Sequence, residues 1–255
     1  MSRYRVLEVT ELEKSFGGLR ALDRITLHLD ADEIVGLIGP NGAGKTALIN
    51  TITGFYRATS GSIRLHGREI SHLPMHQIGR LGVGRTFQNI RLLRRLTVLE
   101  NVLAADKTLL RNPLRALAGL GRNRARDEAL GWLERFQLAD KADRMASTLS
   151  YGDARRLEIS RAMAGNPDLL LLDEPAAGMN EAETQQLAED IRAVRKFVKA
   201  IFLIEHDMDL IQDLSDRIIA MDYGRKLVEG TSREVLRHPE VLKAYLGETA
   251  AEPVG

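Results

Sequence analysis

Eight consecutive residues, Gly39-Pro40-Asn41-Gly42-Ala43-Gly44-Lys45-Thr46, constrain this chain more than any other stretch. An apolar run of strand type, residues 34–38, leads into them, and helix-like sequence, residues 47–53, follows. Glycines in such a loop let successive backbone N–H groups curl around phosphate oxygens, and the helix N-terminus adds its partial positive charge at the same point. Lys45 adds a point charge at the β/γ-phosphates, and the Thr46 hydroxyl is placed to ligate Mg²⁺. The same pattern elsewhere in a chain would be a glycine-rich turn; strand and helix flanks are what make it a phosphate loop.

The remaining pattern is that of an α/β layer fold. Apolar segments of parallel-strand type at residues 169–172, 201–204 and 218–221 alternate with helix-like stretches. At the N-terminus, residues 6–12 are β-compatible, and Ile25, Leu27 and Leu29 alternate with polar neighbours, which predicts a β portion ahead of the loop. Further strands are predicted at residues 62–65 and 83–87. Residues 97–164 read as helical up to the stop signal Gly165-Asn166-Pro167. The expected organisation is one domain over residues 1–247, with a core at 1–88 and 164–235, a helical subdomain inserted at 89–163, and a flexible tail at 248–255. A length of 255 residues suits this. No cysteine is present, which removes disulfides, thiolate metal sites and a Cys nucleophile. The longest apolar runs fall well short of the roughly 20 residues a membrane helix needs. Arg3 and Arg5 are followed by Glu8, Glu11 and Glu13, so no secretory signal is expected.

Two more strand ends carry chemistry. Residues 169–172 run into Asp173 and Glu174, at the end of the strand where an α/β sheet opens its ligand crevice. Asp173 is expected to hold Mg²⁺, directly or through water, and Glu174 to orient or deprotonate the water attacking the γ-phosphate. Taken alone, such a run is a strand capped by solvated acids; the loop upstream turns the reading toward catalysis. Residues 201–204 end in Glu205-His206-Asp207, which puts an imidazole near the same crevice. His72 and His76, split by Pro74, read as polar surface.

Leu149-Ser150-Tyr151-Gly152-Asp153 resembles the signature of the ATP-binding cassette (ABC) ATPases, whose common form is Leu-Ser-Gly-Gly-Gln. The resemblance covers nearly the whole chain. It implies that Phe16 stacks on adenine, that Gln88 of Arg85-Thr86-Phe87-Gln88 is a Mg²⁺ ligand, and that His206 senses the γ-phosphate. It also implies that the loop from Gly39 to Ala47 binds ATP, and that Ser150 and Gly152 serve a nucleotide held by a second subunit. The stretches around Gly84 to Leu92, Asp173 to Asn180 and Ile204 to Met208 are similar to cassette subunits of branched-chain amino acid importers and their urea and amide relatives. This likeness implies an ATP- and Mg²⁺-dependent subunit on the cytoplasmic face of the plasma membrane. Its expected partners are a second, non-identical cassette, two transmembrane permease subunits and, indirectly, an external solute-binding protein; no nucleic-acid partner is expected. A cassette ATPase acting on ribosomes or DNA, and a nucleotide-dependent scaffold, are the competing readings. The first usually carries fused cassettes or a long coiled coil, neither seen here, and the Asp-Glu pair argues against the second.

Three departures from the family pattern matter here. Asp153 replaces the usual Gln and is expected to confront the partner's nucleotide, making two composite sites unequal unless Arg155 or Arg156 neutralises it. Ala47 replaces a hydroxyl residue, and Asn180 stands at an Asp position. Although the whole chain carries a net charge of only +1, residues 80–126 hold eleven basic against two acidic side chains. That block reads either as solvated helix faces or, through Arg91, Arg94 and Arg95, as a contact with a permease loop or anionic lipid.

Overall fold

The computed structural model describes residues 4–105 and 122–249. Two sheets organise them. In the first, strands β1 (Arg5–Phe16), β2 (Leu19–Asp30), β4 (Ser60–Leu65) and β5 (Arg68–Glu69) lie in the order β2-β1-β4-β5, and all pairings are antiparallel. The second takes the order β10-β9-β3-β8-β7-β6, built from β3 (Glu33–Ile38), β6 (Val83–Arg85), β7 (Leu169–Asp173), β8 (Ala200–Ile204), β9 (Arg217–Asp222) and β10 (Arg225–Gly230). Five of its strands run parallel; β10 closes one edge as an antiparallel hairpin partner of β9.

The parallel strands are apolar throughout because both faces are covered. Alternate residues divide between two cores. Val35, Leu37, Leu169, Leu171, Phe202 and Ile204 face helix α1 (Lys45–Ile52) and the antiparallel sheet. Ile34, Ile38, Leu170, Leu172, Ile201 and Leu203 face the opposite way, where helices α5 (Tyr151–Ala164), α6 (Glu181–Val194) and α7 (Met208–Leu214) contribute Leu157, Ile159, Leu187, Ile191 and Ile211. The expected α/β architecture is therefore present, with the antiparallel β portion at the N-terminus.

The helical stretch is more broken than its sequence suggests. Among the described residues it contains α3 (Val98–Leu103), α4 (Arg122–Arg135), short 3-10 turns at Ala139–Lys141 and Ala146–Thr148, and then α5. Thr97 and Glu100 form a capping box that starts α3, which is why helix begins where the sequence reading put it. Of the basic block, Lys107, Arg111 and Arg115 lie outside the described residues. The N-terminal strand runs past Leu12 to Phe16, since Lys14 and Ser15 continue its pairing with β2 and Glu13 pairs with Ser60 of β4. At the other end, the expected tail from 248 is partly helix: α9 (Pro239–Thr249) takes in residues 248 and 249, and 250–255 lie outside the described residues. The preceding helices α2 (Met75–Arg80) and α8 (Ser232–Leu236) are single short pieces.

Fully buried Asn101 ties the loop before α3 to that helix. Its Nδ2 donates to Leu93 O at 3.1 Å and Thr97 O at 2.9 Å, while its Oδ1 accepts from Leu93 N at 2.8 Å. Asn101→Leu keeps the volume and strands those groups, and is expected to destabilise the chain by about 2–3 kcal/mol. Urea denaturation checks this; a loss under about 0.5 kcal/mol would mean the loop finds other partners.

Candidate functional site

Strand register brings the three chemical segments together. Leu37 of β3 pairs with Ile204 of β8, and Ile204 pairs with Asp173 of β7, so the phosphate loop, Asp173-Glu174 and Glu205-His206 all leave the sheet at the same edge. Packing dictates two of the loop's three glycines. A Cβ on Gly39 (φ 155°) would come within 2.2 Å of Met221 O, and one on Gly44 (φ 100°) within 2.7 Å of Ala21 O. Gly224 N donates to Ala43 O at 2.9 Å and Asp23 N donates to Gly224 O at 2.8 Å, so β2 and the β9–β10 turn brace the loop from outside.

Within the loop Lys45 is buried, and its Nζ donates to Gly39 O at 2.5 Å and Pro40 O at 3.0 Å. No side chain caps α1, so its first-turn N–H groups point out at the loop's mouth, where Thr46 is exposed. A glycine-lined cradle holding an ammonium at a helix N-terminus fits the phosphate tail of ATP. Mg²⁺ needs no all-protein cage when phosphates supply oxygens. Accordingly, the described residues contain no cluster of three His, Cys, Asp or Glu side chains able to hold a metal.

Glu174 is where the crevice converges. Gln88 Nε2 donates to its Oε2 at 2.6 Å, and His206 Nε2 lies 2.8 Å from its Oε1. Its backbone is left-handed (φ 47°), a conformation costing on the order of 1–3 kcal/mol that persists only where surroundings over-determine it. One restraint is Glu174 N donating to Ile204 O at 2.9 Å. A second runs through Glu205, whose carboxylate accepts from Ala176 N at 2.6 Å and from His206 N at 3.1 Å, joining the backbone after Glu174 to the backbone of His206. Asp173 is held otherwise. Arg85 Nη2 donates to its Oδ2 at 2.9 Å, and the same guanidinium binds Asn50 Oδ1 and Thr53 Oγ1 on α1. Burial pushes the Asp173 carboxyl up, and Arg85 opposes the rise.

The signature segment stands apart from this centre. Ser150 caps α5, accepting from Asp153 N at 3.2 Å, and Gly152 lies where a Cβ would come within 2.9 Å of Glu183 Oε1 on α6. Asn180, the departure from Asp, forms a capping box with Glu183 at the start of α6. Phe16 is at the exposed end of β1, edge-on to Tyr56 at 4.9 Å and under Lys14 Nζ at 4.6 Å. Ala47 lies in α1, its carbonyl accepting from Thr51 Oγ1.

Of the two outcomes open for Asp153, the structure shows the neutralised one, through Arg156 and not through Arg155, whose charge is met by Glu158. The Asp153 carboxylate is 7% exposed and is already paired, with Lys141 Nζ at 2.6 Å and Arg156 Nη2 at 2.8 Å. Burial raises its pKa, but Lys141 first and then Arg156 outweigh that, and it stays below the usual carboxylate range. Its negative charge is thus compensated twice within its own chain. Of the basic block, Arg85 turns inward to Asp173 and the Arg91 guanidinium lies over the Phe87 ring at 4.3 Å, while Arg80, Arg91, Arg94, Arg95, Arg124 and Arg126 are exposed.

The sequence assigns Arg85 and Glu205 no role, and offers Arg155 only as a partner for Asp153. Arg155, with no exposure, donates to Phe87 O at 2.7 Å and Gln88 O at 2.8 Å, fixing the loop that carries Gln88. Only Glu205 had a signal, its place at a strand end beside His206.

A phosphate loop, a strand-end carboxylate pair and a glutamine and histidine on the second carboxylate define a phosphate-loop ATPase. The chain matches the ABC transporter family over residues 22–177 and the branched-chain amino acid ATP-binding cassette transporter family over residues 225–251. It is 48% identical over 252 residues to the high-affinity branched-chain amino acid transport ATP-binding protein LivG of Salmonella typhimurium, covering 95% of this chain and 98% of that one. It is 45% identical to the corresponding protein BraF of Pseudomonas aeruginosa over the same shares. Among solved structures it resembles the ADP conformation of MJ1267, an ATP-binding cassette of an ABC transporter, with a TM-score of 0.85, 30% identity and coverage of 95% and 99%. This chain belongs to the ABC transporter family as an ATP-binding subunit, an ATPase coupled to transport. Action on ribosomes or DNA is not favoured by these relatives.

Burial pushes the Glu205 carboxyl up to about 7, against three backbone N–H groups that favour its ionised form, with Glu174 adding to the rise. The folded chain thus keeps a proton that an unfolded Glu releases near about pH 4.3. The stability this group contributes is full below that pH and lost as pH rises through about 7. Relative to Glu205→Gln, the wild-type chain is expected to lose on the order of 1–3 kcal/mol between about pH 5 and 8, measured by urea denaturation at each pH. A flat difference would contradict this.

Proposed function

We propose that this chain hydrolyses ATP to drive an importer of branched-chain amino acids, or of related small polar solutes such as urea and amides, through a separate permease. The observation that carries the catalytic part is Glu174 held at once by Gln88 and His206 beside the phosphate loop. The solute class rests on the C-terminal match and on relatives named for branched-chain amino acid transport.

In this reading Lys45 and the loop from Gly39 through Ala47 bind the phosphates, the donors being the backbone N–H groups of Asn41, Gly42, Ala43, Gly44 and their neighbours, while Pro40, which has no N–H, shapes the turn. Phe16 stacks on the base. Thr46, Gln88 and Asp173, the last with its charge already balanced by Arg85, would hold Mg²⁺, which would supply positive charge against the developing charge on the phosphates. Glu174 accepts a proton from the attacking water, and His206, donating to the same carboxylate, aligns it and reaches toward the γ-phosphate. Ser150 and Gly152 would complete a nucleotide site on a second, non-identical cassette. No helix among the described residues is long and apolar enough to cross a membrane. Two permease subunits would supply the path, with an external solute-binding protein feeding it. The chain would then act at the cytoplasmic face of the plasma membrane.

Reconstituting the full chain with candidate permeases in lipid is expected to raise its ATPase rate and to couple that rate to branched-chain amino acid uptake. Stimulation by ribosomes or DNA instead would overturn the reading. In the assembled transporter Glu174→Gln should leave ATP binding intact and lower turnover by roughly 10²–10⁴. Turnover within about twofold of wild type would remove Glu174 as the base. Phe16→Ala should mainly raise KM, by the equivalent of about 1–3 kcal/mol of stacking; unchanged nucleotide affinity would remove Phe16 from the base site.

A further inference from the structure

The first turn of α5 is connected to Glu174 by a closed course of hydrogen bonds within this one chain. Tyr151 Oη donates to Ala177 O at 2.6 Å, and Ala177 N donates to Glu174 O at 3.2 Å. On the other side Arg155 Nη2 donates to Tyr151 Oη at 3.3 Å and to Gln88 O at 2.8 Å, while Gln88 Nε2 donates to Glu174 Oε2 at 2.6 Å. The two arms meet at Glu174, one through its backbone and one through its carboxylate.

Each part of this course has a physical reason. Arg155 is fully buried and its charge is met by Glu158 at 2.8 Å, so its remaining donors can be committed to the Phe87 and Gln88 carbonyls. The Tyr151 ring packs 3.6 Å from where a Cβ on Gly178 would stand, and Gly178 takes a left-handed φ of 81° that lets the loop turn under the ring. Although that ring is 44% exposed, its hydroxyl reaches back to a backbone carbonyl in the loop that follows Glu174. Glycine, the common residue at this position in the family, has no such reach.

We propose that Tyr151, with Arg155, is a positioning device for Glu174: it fixes the loop after the carboxylate on one side and Gln88 on the other, so that the carboxylate meets the attacking water in one orientation. The proposal rests on Glu174 being the base. Because Tyr151 stands between Ser150 and Gly152, the same clasp ties the stretch assigned to a second subunit's nucleotide to the carboxylate of its own chain.

The test uses the assembled transporter and Tyr151→Phe, which keeps the ring on Gly178 and deletes only the hydroxyl. The expected result is a kcat lowered roughly three- to tenfold, the effect of one hydrogen bond realised in the transition state, with KM for ATP unchanged within about twofold. Melting temperature should hold within about 2 °C. Tyr151→Met, a second side chain without the hydroxyl, should lose kcat similarly. Combined with Gln88→Ala, Tyr151→Phe should cost less than the product of the two single effects, since both act through one carboxylate. An unchanged kcat, a kcat loss that tracks a fall in melting temperature, or a multiplicative double variant would each overturn the proposal. Glu174→Gln separates the two readings. If it abolishes turnover while Tyr151→Phe does nothing, only the positioning role falls; if it leaves turnover intact, the base assignment falls with it.

Discussion

The whole site depends on the register of three parallel strands. With Leu37, Ile204 and Asp173 side by side across β3, β8 and β7, the chain delivers a phosphate loop, a carboxylate pair and an imidazole to one edge of one sheet. A shift of a single residue would exchange the faces of every side chain in the moved strand. Register is strongly specified here because both faces are buried, with Leu171, Phe202 and Ile204 in one core and Leu170, Leu172 and Leu203 in the other. Packing energy spread over two cores thus sets the positions of a few polar atoms at the strand ends.

From that edge the protein builds rigidity around one strained residue. Glu174 sits at positive φ, held by Ile204 O at its backbone, by Gln88 and His206 at its carboxylate, and by Glu205 through Ala176 and His206. Strain of this kind is stable only when several contacts agree on it. A carboxylate restrained from both sides is suited to proton abstraction, because little reorganisation is left for the moment of reaction. Asp173, one residue earlier, is treated differently: Arg85 compensates it and ties it to α1 through Asn50 and Thr53, so the helix that begins at the phosphate loop and the carboxylate strand are linked.

What could be read in the sequence was local. The phosphate loop carries its glycines, lysine and threonine in eight successive residues, and the strand ends at 173 and 204 announce themselves by an apolar run that stops at acids. The fold followed from the same runs. Contacts between residues far apart in the chain were not legible: Tyr151 reaches Ala177 across 26 positions, Arg155 reaches Gln88 across 67, and Arg85 reaches Asp173 across 88. Each of these arginines reads locally as a surface charge. Asp153 was legible only in part, for a related reason. Arg156 lies three positions on along the same helix face and was named as one neutraliser, but Lys141 comes from the turn before α5, and only the fold shows that the carboxylate is buried between them. The helical stretch was read as too continuous because its polar, leucine-bearing sequence does not mark the 3-10 turns at 139–141 and 146–148.

The central claim is that the carboxyl ends of β3, β7 and β8 converge on the terminal phosphate of ATP. A crystal structure of the full chain with Mg²⁺ and a non-hydrolysable ATP analogue measures this directly. The expected result is the phosphate tail within the loop from Gly39 to Thr46, Lys45 turned from the loop carbonyls onto it, and the terminal phosphate within hydrogen-bond reach of Glu174, Gln88 and His206, about 3.2 Å or one bridging water. A tail seated elsewhere, or a Glu174 carboxylate facing away from the terminal phosphate with no water between them, would contradict it.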